Sequence, residues 1–143
     1  MNQFAAAAAN GTKTLPNGWR WVRLGEVCEI NPRRQNGLGF PADRPTTFVP
    51  MSAIDGRSGR IAQPKVSPFA EVQRGYTYFE EGDVLFAKIT PCMQNGKHAI
   101  ARDLEGGFGF GTTEFHVLRP RQDITSEWIH YFLRQPTILD AAT

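Results

Sequence analysis

The chain has 143 residues, one domain or part of one, and that length can bury a core. Its hydrophobic fraction of 41% and charged fraction of 21% are ordinary for a soluble globular protein. A net charge of +2 argues against a dedicated electrostatic nucleic-acid binder, which is more basic. Residues 1–102 carry 13 Lys/Arg against 8 Asp/Glu, whereas residues 103–143 carry 3 against 6, so the basic excess lies in the first part. No run approaches transmembrane length, and Ala5–Ala9 is too short and too weakly apolar for a signal core. With two cysteines, Cys28 and Cys92, and no signal peptide, a reducing cytoplasm without a disulfide is expected.

Residues 1–14 are alanine-rich and form a flexible or helical leader. Leu15-Pro16-Asn17-Gly18 is a turn. Trp19–Leu24 alternates as a strand does, with both tryptophans on one face and core packing as their expected fate. Leu24, Val27 and Cys28 have the spacing of one helical turn, which Pro32 ends. Asn31–Arg44 is a loop with Arg33, Arg34, Asn36, Gly37 and Gly39; basic glycine loops can hug phosphates, and the competing reading is a solvated surface.

Thr46–Met51 is a strand. Ala53–Arg60 is a turn bearing Arg57 and Arg60, and Ile61 continues extended. Residues 64–74 read as irregular, and Tyr76–Phe79 as a short strand before the acidic turn Glu80–Asp83. Val84–Ile89 is an apolar, branched and aromatic run that suits a buried strand. It breaks at Thr90-Pro91, because proline removes a backbone donor. Asn95-Gly96 is a turn signal, and His98–Ala101 is the return strand.

This link presents Lys88, Thr90, Gln94, Asn95 and Lys97 close together. Amides pair with base edges through two bonds, and lysines neutralise phosphate. Glu105–Gly111 lacks the Lys-Ser/Thr of a phosphate-binding loop and is followed by a strand, Phe115–Leu118, so a bent or bulged strand is expected. Thr125 or Ser126 caps a helix over Glu127–Gln135. Trp128/Phe132 and Ile129/Leu133 are i, i+4 pairs on its buried side. Pro136 interrupts it, and Ile138–Thr143 begins a further helix.

GDVLFAKITPCMQNGKHAIA (residues 82–101) followed by GFGTTEFHVLRP (residues 109–120) resembles the target recognition domain of a type I restriction–modification specificity subunit. LPNGWRWVRLGEVCEINPR (residues 15–33) is similar to the opening of the same domain. The central block is the more specific of the two.

The resemblance implies a non-catalytic subunit that reads half of a bipartite double-stranded DNA target. It further implies two partners: a methyltransferase (modification) subunit acting on adenine and a motor nuclease (restriction) subunit. Methyl donor and ATP would bind those partners, so this chain needs no cofactor and no metal. A whole specificity subunit has two such domains joined by long helices. Here residues 15–143 are read as one domain, incomplete at its C-terminus: a truncation, an expressed fragment, or half of a homodimer.

Catalytic alternatives find little support. Asn31-Pro32-Arg33-Arg34 is not the Asn/Asp-Pro-Pro-aromatic motif of an adenine methyltransferase. Glu80, Glu81 and Asp83 beside Lys88 are the nearest approach to a nuclease cluster, but acidic turns are usually solvated. Cys92 and His98 lack a third, orienting group. Cys28, Cys92, His98 and His116 lack the paired spacing of zinc ligands. The expectation is an α+β fold, a twisted and mainly antiparallel sheet with a few short helices. DNA contacts are expected from Lys88, Thr90, Gln94, Asn95 and Lys97 by their side-chain chemistry. They are also expected from Arg57 and Arg60, because the resemblance places these in a variable, target-related region of the family, with solvent exposure as the competing reading. A module that binds or inhibits the methyltransferase subunit without touching DNA is the competing class.

Overall fold

Phenylalanines and branched residues at alternate positions build two four-stranded sheets that share one core. The computed structural model describes residues 14–34, 39–88 and 97–135. In chain order these form α1 (Leu24–Val27), β1 (Cys28–Ile30), β2 (Pro45–Val49), β3 (Ile54–Asp55), β4 (Arg60–Ile61) and β5 (Lys65–Pro68). Then come α2 (Phe69–Val72), β6 (Thr77–Glu80), β7 (Val84–Ala87), β8 (His98–Ile100), β9 (Phe108–Gly111), β10 (Phe115–Pro120) and α3 (Ser126–Leu133).

The first sheet has the order β1-β10-β7-β8 and is antiparallel throughout. The second has the order β5-β2-β9-β6, with β2 and β9 parallel and the other pairs antiparallel. β3 and β4 form a separate hairpin. The fold is thus α+β and mainly antiparallel, divided into two sheets.

β7 shows why the sheets stack. All four of its residues are buried. Leu85 joins Phe79 of the second sheet and Phe115 and Val117 of β10 in the core between the sheets. Val84 and Phe86 point the other way, onto Leu24 and Cys28 and onto Ile129 and Leu133 of α3. Burying each such side chain contributes roughly 1.5–3 kcal/mol. The outer face of the second sheet carries Phe108 and Phe110 against Phe69 and Val72 of α2.

Glycine lets the neighbouring strands of the second sheet approach closely. A Cβ on Gly109 would meet the Thr47 carbonyl oxygen at 3.1 Å and the Phe79 ring at 3.0 Å. The Glu105–Gly111 stretch is therefore a short 3-10 turn with Gly106 at φ 66, followed by a buried strand that glycine allows neighbours to approach.

Several expectations are corrected. Trp19–Leu24 forms no strand, and Trp19 and Trp21 are 69% and 55% exposed. Among the described residues no neighbouring strand receives that segment. Instead the Trp19 N–H closes a turn onto the Pro16 carbonyl, and Arg23 caps α1 by donating its N–H to Glu26. Trp128 lies on the exposed side of α3, stacked on half-buried Phe132, while Ile129 and Leu133 are buried. Residues 65–72 are ordered as β5 and α2 rather than irregular. Pro64, Pro68 and an exposed, non-alternating pattern hide this edge strand from a periodicity reading. Thr125, as expected, caps α3 by accepting the Trp128 N–H at 3.2 Å.

Candidate nucleic-acid interface

Lys88 directly follows β7 and Lys97 directly precedes β8, so both lysines stand at the base of the β7–β8 link. The Ala87 N–H donates to the Lys97 carbonyl at 3.1 Å, and the Lys88 N–H to the Glu114 carbonyl at 2.7 Å. Thr90, Gln94 and Asn95 lie outside the described residues, as does Cys92.

The two lysine side chains have different neighbours. Lys97 Nζ donates to the Ile54 carbonyl at 2.7 Å, which ties it to the β3–β4 hairpin. That hairpin carries Arg57 and Arg60, both exposed. Its turn is rigid for local reasons. Asp55 accepts the Arg57 N–H at 3.0 Å and the Ser58 hydroxyl at 2.8 Å, and these bonds, Ser58 first, lower its pKa. Gly59 sits at φ +67, and a Cβ there would overlap the His130 imidazole, so both backbone and space call for glycine. Arg134 Nη2 donates to the Arg57 carbonyl at 3.1 Å, anchoring the hairpin to the end of α3. Arg57, Arg60 and Lys97 thus form one basic group, with Arg102 and Arg134 nearby.

Lys88 belongs to a second group. It lines a cleft of about 430 Å³ together with Arg33, Arg34, Gln73 and Tyr76, over a base formed by Phe110 and Phe115. Asn31 places the two arginines there. It adopts φ 49, unusual for a non-glycine residue, and turns the chain out of β1. Its N–H donates to the Val117 carbonyl at 2.7 Å, and its Oδ1 accepts the Val117 N–H at 2.8 Å. A side-chain amide thereby completes a ladder rung that the backbone has left. Sequence reading weighed Arg33 and Arg34 only as part of a basic loop, and missed Gln73 and Tyr76 entirely. The Asn31-Pro32 step, where an asparagine tolerates the left-handed region, is the signal that the chain turns here.

Among the described residues, the ion pairs join Arg102 to Glu127 and Arg119 to Glu80 and Asp83, so none uses Arg33, Arg34, Arg57, Arg60, Lys88 or Lys97. Of the groups considered for catalysis or metal binding, Asp83, His98 and Cys28 are buried. Asp83 is held by Arg119. His98 Nδ1 and His130 Nε2 lie 2.9 Å apart in a buried pair. Burial first, and then the neighbouring His130, bring the pKa of His98 down to about 4. Burial pushes the Cys28 thiol up to about 11, the wrong direction for a nucleophile. Among the described residues no three His, Cys, Asp or Glu side chains converge as metal ligands. No helix among them is long and apolar enough to cross a membrane.

No protein-family model matches the chain. It is 38% identical over 126 residues to the type I restriction enzyme EcoEI specificity subunit of Escherichia coli, covering 87% of this chain and 21% of that protein. It is 40% identical over 110 residues to the EcoAI specificity subunit of the same organism, covering 77% of this chain and 18% of that protein. The chain therefore spans about one-fifth of the length of these curated relatives.

Among solved structures, the HsdS subunit from Thermoanaerobacter tengcongensis superposes with a TM-score of 0.69 at 32% identity, over 87% of this chain and 31% of that one. A chain from a structure of a type I R-M system, solved for its assembly and conformational transition, gives 0.70 at 31% identity, over 86% and 31%. Sequence and fold agree: the chain is homologous to one segment of the type I restriction enzyme specificity subunits.

Proposed function

We propose that residues 15–143 form a recognition unit that reads part of a double-stranded DNA target in a type I restriction–modification system, without catalysis of its own. Similarity to named specificity subunits over most of this chain carries the reading. Two exposed basic groups, Arg57/Arg60 and Arg33/Lys88, support it, since unpaired cations on a rigid scaffold suit a phosphate backbone. Thr90, Gln94 and Asn95, between Lys88 and Lys97, are the residues we assign to base edges. In this reading the chain works in the cytoplasm. It directs an adenine methyltransferase subunit and a motor nuclease subunit, which bind the methyl donor and ATP. A homodimer of this chain supplies two recognition units.

The test is a selection from a random duplex library by the purified chain, alone and with the methyltransferase subunit of a type I system, with complex masses from light scattering. Enrichment of a short defined motif and a ternary complex with DNA are expected. A complex with the methyltransferase subunit that enriches no sequence and excludes DNA would replace this reading with the interaction module.

A further inference from the structure

The cleft beside Asn31 differs from the other clefts in its charge. Arg33, Arg34 and Lys88 line it, and no carboxylate does. The cleft at the β3–β4 hairpin includes Asp103 beside its arginines. Another has Glu29 and Asp123 beside Arg119 and Arg121. A fourth is lined by Glu80, Glu81, Asp83 and Glu127.

The nearest acidic groups are turned to other work. Glu80 accepts the Tyr78 hydroxyl at 3.1 Å and faces Arg119 at 3.4 Å. Glu114 receives the Lys88 N–H on its backbone carbonyl, and no ion pair joins their side chains among the described residues. Three like charges therefore line one cleft with no counter-charge among the described residues.

Arg34 is the most telling of the three. It is half-buried, with its guanidinium carbon 5.7 Å from the centre of the Phe110 ring. Its Nη1 is buried and has no hydrogen-bond partner among the described residues. Leaving such a donor unmatched is unfavourable, and an acceptor oxygen seated in the cleft removes the penalty.

We infer that the cleft between the Asn31–Arg34 segment and strands β6 and β9 is an anion site. It takes a backbone phosphate of bound DNA, with Arg33, Arg34 and Lys88 as its cationic groups. The ligand's source rests on the DNA-recognition reading; the anion site itself does not. Phe110 and Phe115, each 1% exposed, close the base of the cleft. Gln73 and Tyr76 at the edge supply neutral donors. The site fixes register on the duplex and carries no sequence information.

The test uses the whole chain and the variants Arg34→Gln, Lys88→Gln and Arg34→Lys, with Arg121→Gln as a control cation from a mixed-charge cleft. Thermal melting first establishes that each is folded. Binding of inorganic pyrophosphate is followed by nuclear magnetic resonance, and duplex affinity is measured across a salt series. Arg34→Gln and Lys88→Gln should each weaken pyrophosphate binding by about tenfold. Each should also lower the slope of log affinity against log salt by about 1, uniformly across duplex sequences, while Arg121→Gln changes neither. Arg34→Lys should restore the salt slope.

Unchanged slopes and unchanged pyrophosphate binding in both Gln variants would overturn the site while leaving DNA recognition standing. Pyrophosphate shifts centred on Lys88 and Arg34, in a chain that binds no duplex, would uphold the anion site and sink the DNA reading. Absence of both kinds of binding would sink both.

Discussion

Arg119 of β10 grips Asp83 with two parallel bonds, Nε to Oδ1 at 2.9 Å and Nη2 to Oδ2 at 2.8 Å. Asp83 is 1% exposed and stands where the chain leaves β6 in the second sheet and enters β7 in the first. The carboxylate also accepts the Glu80 N–H at 2.8 Å, so it holds the crossing between the sheets. Removing one member strands the other in a poorly solvated place. Asp83→Ala should lower unfolding free energy by ~3 kcal/mol. In urea titrations the Asp83→Ala/Arg119→Met double variant should lose less than the sum of the two single variants. Strict additivity would mean that the pair is not coupled. Glu127→Gln, which breaks the exposed pair with Arg102, should leave the midpoint where it is.

The buried His98–His130 pair predicts an acid-sensitive fold. Both pKa values are lowered chiefly by burial, that of His98 from 6.5 to about 4. Arg134 and Arg102 add positive charge near His130, although Arg102 is paired with Glu127. In the unfolded chain each imidazole takes up a proton near pH 6.5, and in the folded chain it resists. The unfolded state therefore binds more protons below that value, so stability is complete above about pH 7 and falls as pH drops from 6.5 toward 4. A second proton would also destroy the 2.9 Å bond, which needs one donor and one acceptor. Urea midpoints should decline steadily between about pH 7 and about pH 5, and less so in His98→Gln. A flat profile in the wild-type chain would count against the pair.

Sequence reading succeeded where one physical signal dominated. Val84–Ala87 is apolar at every position, which only a strand buried on both faces requires, and Thr125 precedes a helical period as a cap should. It failed where the deciding partner was distant. The alternation of Trp19–Leu24 was genuine, but no neighbouring strand received it, so both tryptophans stand exposed. β5 carries prolines and an exposed pattern, and is a strand only because β2 offers it an edge. The candidate contact residues show the same limit. Lys88 and Lys97 are nine positions apart and flank one link, yet strand placement sends them to different basic groups. Arg34 gains its interest from Phe110, a neighbour that no sequence window contains.

Gly111 should resist any side chain. A Cβ there would lie 3.0 Å from both the Val49 carbonyl oxygen and the Phe115 ring. The first is backbone in the paired strand β2, and the second is fully packed between the sheets. Neither can retreat without opening the core. Gly111→Ala should destabilise by ~1–3 kcal/mol through overpacking, despite its lower unfolded-chain entropy. Phe115→Leu in the same background should recover part of the loss. A Gly111→Ala chain with an unchanged melting temperature would show that the sheets are less closely packed than described.

Cys28 should be chemically silent in the folded chain. It is 1% exposed, and its thiol pKa is raised to about 11, so almost no thiolate exists at neutral pH. Alkylation followed by peptide mapping should leave the Cys28 peptide unmodified under native conditions and label it fully in denaturant. The sign for pH is simple: reactivity at Cys28 should rise only as pH climbs toward 11 or as the fold opens. Rapid native labelling at neutral pH would place the thiol at the surface.

Lys88 and Lys97 should separate stability from binding. Lys97 gives its ammonium to the Ile54 carbonyl at 2.7 Å and holds the β3–β4 hairpin against β8. Lys97→Met should therefore lower stability by ~1–2 kcal/mol, the worth of a partly buried charged hydrogen bond. Its effect on DNA should follow from loosening Arg57 and Arg60, and should shrink at low temperature, where the hairpin stays closed. Lys88 is exposed and has no ion-pair partner among the described residues. Lys88→Met should leave the melting temperature within error and weaken duplex binding in a salt-dependent way. Melting curves and fluorescence anisotropy on the same two variants decide the matter. If Lys97→Met keeps full stability and loses affinity as Lys88→Met does, both lysines face the duplex and the bond to Ile54 is not what holds the hairpin.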